Sequence, residues 1–118
     1  MRDNIIQEKS YTLALEILSL VRKLPKSMEG YVLGKQLIRS GTSIGANVEE
    51  AIAGYSKSDF THKMSIARKE ARETHYWLRL IKDGHLIACD NIDEIIENSE
   101  EIIKILTSIV KTAQAKNS

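Results

Sequence analysis

The chain has 118 residues, 42% hydrophobic and 28% charged, with a formal net charge of +1. That length suits one domain, residues 1–118, built on one sizeable core, and the near-zero charge gives no global basicity that would by itself point to nucleic acid. One cysteine, Cys89, excludes an intramolecular disulfide, and no apolar run is long enough to cross a bilayer.

Met1-Arg2-Asp3-Asn4 leads into no signal-peptide core, so a soluble, cytoplasmic protein without a membrane partner is expected. The first helix is predicted from about Asp3 to Leu24, with Ile6, Leu13, Ala14, Ile17, Leu18, Val21 and Leu24 as its apolar stripe. Pro25 ends it, because the residue before a proline is pushed out of the helical region. The short connection through Glu29 implies that the next helix runs back alongside the first.

The second helix is predicted over Tyr31 to Ala53. Leu33, Leu37, Ile44, Val48 and Ala51 form one apolar line, widened by Gly34, Ile38, Gly41, Gly45 and Ile52. Gly41 and Gly45 each cost about 1 kcal/mol of helix stability relative to alanine, which suggests that a neighbouring backbone comes close there. Gly54-Tyr55-Ser56-Lys57 closes the element, and Ser58 suits the N-cap of the next, with Asp59 in its first turn.

The third helix, Asp59 to Lys82, has three faces. Phe60, Met64, Ala67, Ala71, Thr74, Leu78 and Ile81 recur at steps of four and three and form the core stripe. Arg68, Arg72, His75, Arg79 and Lys82 form a basic stripe about a quarter turn away. Ile66, Tyr76, Trp77 and Leu80 lie across from the core stripe, among Lys69, Glu70 and Glu73. One buried stripe is enough for a lone helical protein, so this second apolar set points to contact between subunits. Gly84 follows as a residue suited to a left-handed helix end.

Asp90 can cap a fourth helix with Ile92, Ile95, Ile96, Ser99, Ile102, Ile103, Leu106, Ile109, Val110 and Ala113 inward. Asp93, Glu94, Glu97, Glu100 and Glu101 take its other side, with Glu100 placed to pair with Lys104, and residues 114–118 are expected to fray. No strand candidate remains, and the fold class is all-α, an antiparallel up-down-up-down four-helix bundle.

Charge separates along the chain. Residues 30–85 hold nine Lys and Arg against six Asp and Glu, while residues 86–118 hold three against six. No Glu-x-x-His pair, zinc-ligand spacing, phosphate-binding glycine loop or nucleophile elbow occurs, so neither catalytic residues nor a metal or cofactor are expected. Arg68 and Arg72 repel each other one turn apart, which a plain solvated face would avoid by alternating sign. Together with Arg79, Lys35, Arg39, His75 and Lys82 they are the candidate contacts to nucleic acid, whether RNA or DNA. In the alternative reading the same arginines pair with acids of a neighbouring subunit, in an adaptor ring that recruits a protein partner.

Several segments occur in a telling order. Leu24-Pro25, Glu29-Gly30-Tyr31 and Gln36-Leu37-Ile38-Arg39-Ser40 precede Ser43-Ile44-Gly45-Ala46-Asn47-Val48-Glu49-Glu50-Ala51. Asp59-Phe60, Ile66-Ala67-Arg68-Lys69-Glu70-Ala71 and Glu73 through Leu80 follow. This order resembles the bacterial four-helix-bundle family first named for the 23S rRNA-intervening-sequence protein, which also includes the accessory protein of diversity-generating retroelements. The resemblance implies a homopentameric ring and, in the retroelement branch, a positive barrel that binds nucleic acid and a reverse transcriptase. Two places depart from the family pattern. Ile38-Arg39 stands where many relatives have two basic residues, and Glu49-Glu50-Ala51 where they often read Ala-Glu-Gly.

Overall fold

The computed structural model describes residues 2–88 and 91–117, with side chains from Ile5 to Ala115. Four helices account for nearly all of it: α1 (Arg2–Arg22), α2 (Met28–Ala53), α3 (Lys57–Asp83) and α4 (Ile92–Asn117). No strand forms among the described residues. A 26-residue helix is about 39 Å long, so the helices lie along the long axis of a body measuring 47 × 21 × 20 Å. Each packs on two others, in the cyclic order α1, α2, α3, α4.

The core follows the predicted stripes. Ile6, Leu13 and Ile17 of α1 meet Leu37, Ile44 and Val48 of α2, Met64, Ala71 and Leu78 of α3, and Ile95, Ile102 and Leu106 of α4, all buried. Leu20 joins them from outside the predicted α1 stripe, of which Ala14, Leu18, Val21 and Leu24 are only half-buried. Ile52, placed in the α2 stripe by spacing, is exposed near the end of its helix.

Gly41 answers the question its helix cost posed. A Cβ there would collide with the Cδ1 of the buried Ile17, so its absence lets α1 seat a large side chain against α2. At Gly45 the neighbour is Ser10, whose hydroxyl would lie 3.4 Å from an added Cβ, an ordinary contact. The close approach is therefore made mainly by an α1 side chain, and α2 continues unbroken through both glycines.

Helix ends differ from expectation for local reasons. α1 stops at Arg22, and Lys23 and Leu24 tighten into i to i−3 hydrogen bonds with Leu20 and Val21 before Pro25. α2 begins at Met28 rather than Tyr31, because the Ser27 hydroxyl accepts the Gly30 N–H at 3.1 Å. Ser56, not Ser58, caps α3: its hydroxyl accepts the Asp59 N–H at 3.0 Å, which starts the helix at Lys57 and leaves Ser58 in the first turn. The expected cap of α4, Asp90, lies outside the described residues. The Asn91 carbonyl accepts the Ile95 N–H at 3.1 Å at that end. α4 runs to Asn117, with neither proline nor glycine within it.

The end of α3 corrects a second expectation. Gly84 has φ −80 and is right-handed; the left-handed residue is His85, with φ 57. Leu86 N–H then bonds to Ile81 O at 3.2 Å and His85 N–H to Lys82 O at 3.1 Å. These are the two bonds of a Schellman closure with His85 in the place usually taken by glycine. Gly84 serves by its size, because a Cβ there would come within 2.8 Å of the Leu80 carbonyl oxygen.

Candidate functional site

Three kinds of basic residue sit on α2 and α3, and their surroundings separate them. Arg39 is fully engaged. Its Nη1 donates to Glu70 Oε2 at 3.1 Å, its Nη2 to Glu73 Oε1, and its Nε to Gln36 Oε1 at 3.1 Å. Trp77 Nε1 donates to the same Glu73 oxygen at 3.3 Å. Glu70 is only 8% exposed, which corrects its placement on the outer face of α3. It sits on the α2/α3 seam beside Thr74, whose hydroxyl is 2.9 Å from that of the buried Ser40.

Lys82 and His75 are faced by α4. Lys82 Nζ lies 2.6 Å from Asp93 Oδ1, and that hydrogen bond and the carboxylate's charge raise the ammonium's pKa above its ordinary value. His75 Nε2 is 4.0 Å from Glu100 Oε1. Glu100 is thus turned across the α3/α4 groove, away from the Lys104 pairing its spacing suggested.

Arg68, Arg72, Arg79 and Lys35 are different. No acid lies within 4.0 Å of any of them among the described residues. Arg72, Arg79 and Lys35 are exposed and Arg68 is half-buried. Arg79 stacks its guanidinium carbon 5.9 Å from the centre of the Tyr76 ring, a distance at which a cation and an aromatic face attract weakly. The seven candidate residues therefore form no single patch: among the described residues, three face an acid within 4.0 Å and four do not.

The second apolar set also divides. Trp77 packs on the core, edge-on to Tyr76 with ring centres 5.1 Å apart, and Ile66 is half-buried. Tyr76 and Leu80 stand 49% and 40% exposed. Spacing placed all four on one outer face, but Trp77 packs against the buried core while Tyr76 and Leu80 stand exposed.

Elsewhere, a groove between α1 and α4 is lined by Ile5, Glu8, Lys9, Thr12, Glu16, Asn98, Glu101 and Ile102. Lys9 meets Glu101 at 2.7 Å and Asn98 donates to Glu16 at 3.0 Å, so its polar groups are largely committed to one another. Among the described residues no three His, Cys, Asp or Glu side chains converge as a metal site would require. No helix of the described residues is long and apolar enough to cross a membrane.

Fold and side chains define an all-helical protein of four helices whose third carries two exposed arginines and one half-buried. The chain belongs to the 23S rRNA-intervening sequence protein family, which it matches over residues 2–108. It is similar to a protein with unknown function from the S23 ribosomal protein family of Bacteroides thetaiotaomicron. That crystal structure aligns with a TM-score of 0.86 at 43% identity, covering 94% of this chain and 99% of the other. No curated protein matches the chain.

Proposed function

We propose that the chain is a non-enzymatic protein, an antiparallel bundle assembled as a homopentameric ring. It binds nucleic acid through phosphates, without reading sequence. Support for the antiparallel course comes from paired positions that run in opposite directions. Gln7 reaches Glu49 and Ile17 faces Gly41, while Lys82 reaches Asp93 and His75 faces Glu100.

The observation that carries the binding reading is that no acid lies within 4.0 Å of Arg68 or Arg72 among the described residues. Two guanidinium groups one turn apart repel unless an anion comes between them, and the described residues place none within 4.0 Å. Arg79 and Lys35 add exposed charge, whereas Arg39 and Lys82 are committed to internal ion pairs and contribute less. A ring repeats each arginine in every subunit, which concentrates a modest stripe into a strong local field.

The test is anisotropy of a labelled 20-nucleotide single-stranded RNA titrated with the full chain. Wild type should bind with an affinity that falls steeply with salt, and Arg68→Glu with Arg72→Glu should abolish binding at unchanged helicity and particle size. RNA binding by the double variant at wild-type strength refutes the reading. A specific observation also favours the adaptor alternative, since Tyr76 and Leu80 are exposed apolar groups that a protein partner could cover. If the double variant dissociates into monomers, the arginines act at a subunit interface and this alternative takes precedence.

A further inference from the structure

α4 divides into two halves of opposite charge, and its packing on α3 gives each half a different task. Asp93, Glu94, Glu97, Glu100 and Glu101 all lie in its first part, whereas residues 102–117 contain no acid at all. Two contacts fix the register. Lys82 faces Asp93, and seven residues back along α3 His75 faces Glu100, seven residues on along α4. Seven residues are close to two helical turns, so such steps return to the same face.

The next step of this ladder places Arg68 opposite Thr107, where the acids have run out. Thr107 directs its hydroxyl to the Ile103 carbonyl at 2.7 Å and offers no countercharge. Lys104 lies one turn before it and Lys111 one turn after, both exposed. Neither has an acid within 4.0 Å among the described residues. Of the acids on other faces, Glu101 is paired with Lys9 and Glu70 and Glu73 with Arg39, while Glu49 accepts a hydrogen bond from Gln7. Among the described residues, the same groove therefore sets acids opposite Lys82 and His75 at one end and none within 4.0 Å of its cations at the other.

We propose that Lys104 and Lys111 of α4 join Arg68 and Arg72 of α3 in a four-cation site for the phosphates of a nucleic-acid strand. This rests on the binding reading above and assigns it to one end of one groove, with α4 as the second wall. The acids of α4 keep the strand from the other end by repulsion, which sets where along the groove it can lie.

The test compares Lys104→Gln/Lys111→Gln with a control, Lys23→Gln/Lys26→Gln, whose lysines are exposed on the α1–α2 connection. Both are titrated as full chains against the 20-nucleotide RNA from 0.05 to 0.3 M salt, with circular dichroism as the folding check. Each phosphate contact to a single strand adds about 0.7 to the salt slope, so losing two lowers it by about 1.4 for each subunit that the strand contacts. At 0.1 M salt affinity should drop at least tenfold, and the control should match wild type. Wild-type affinity and slope in Lys104→Gln/Lys111→Gln, alongside lost binding in the arginine variant, would overturn this inference and leave the binding reading standing. Equal losses in the control would overturn it as well, because the charge would then act without a site. A wild-type chain that does not bind the RNA overturns both.

Discussion

At Arg39 three acceptors converge on one guanidinium, yet the two ends of the main ion pair sit in very different surroundings. Arg39 is half-exposed, whereas the Glu70 side chain is only 10% exposed. Removing the arginine strands a carboxylate that water reaches poorly, while removing the carboxylate leaves an arginine that still has Glu73 and solvent. Arg39→Ala should therefore cost about 1–3 kcal/mol, and Glu70→Gln, which keeps an acceptor for Nη1, clearly less. Urea denaturation measures both, and equal costs would show that the seam is held by packing rather than by charge. His85 supplies a second asymmetry. A left-handed conformation costs a residue with a Cβ about 1–2 kcal/mol, and glycine forfeits part of that gain through its freer unfolded chain. His85→Gly should raise stability by up to about 1 kcal/mol, roughly 4 °C in Tm for a chain of this size. A lower Tm would mean that the imidazole makes a contact worth more than the strain.

Among the elements, α2 offers the cleanest test of why glycines occupy a long helix. Gly41 and Gly45 share sequence context and helix cost, but only Gly41 would drive a Cβ into a fully buried side chain, that of Ile17. Gly41→Ala should be destabilising, by about 1–3 kcal/mol for overpacking less the gain in helix propensity. Gly45→Ala meets Ser10 at ordinary contact distance and should be neutral or stabilising by up to about 1 kcal/mol. Thermal melts that rank the two variants in the opposite order would refute the packing account. The four helices and their core stripes were legible from the recurrence of Leu37, Ile44 and Val48 or of Met64, Ala71 and Leu78, since burial repeats with the helix period. Finer features were not, because they depend on what stands opposite. Ser56 and Ser58 are equally good caps until the path out of Gly54 decides between them. Glu70 follows Ala67 by three and precedes Thr74 by four, so its place in the buried stripe could have been noticed; its charge argued against it until Arg39 stood opposite. The division of the basic stripe was hidden for the same reason. Lys82 and Arg68 are alike in spacing, and only the register with α4 gives one an acid and the other none.

For the whole molecule, the exposed apolar side chains bear on the proposed ring. Tyr76 and Leu80 share one outer stretch of α3, while Trp77 beside them is held by the core and by Glu73. Contact with another copy would cover the first two without disturbing the third, and a closed ring would do so without open-ended growth. Light scattering should give wild type five times the chain mass, independent of concentration in the micromolar range. Tyr76→Asp with Leu80→Asp introduces a charge at each point of contact while leaving every buried group in place, so helicity should persist and the particle should fall to a single chain. RNA affinity should then weaken through loss of repeated sites, although each chain keeps Arg68 and Arg72. A double variant that retains the wild-type mass would move the contact elsewhere, and the first place to look would be Tyr11 and Leu15 of α1, which are 65% and 52% exposed. A wild-type monomer would remove the ring altogether, and with it the amplification of charge on which the proposed binding by so few arginines relies.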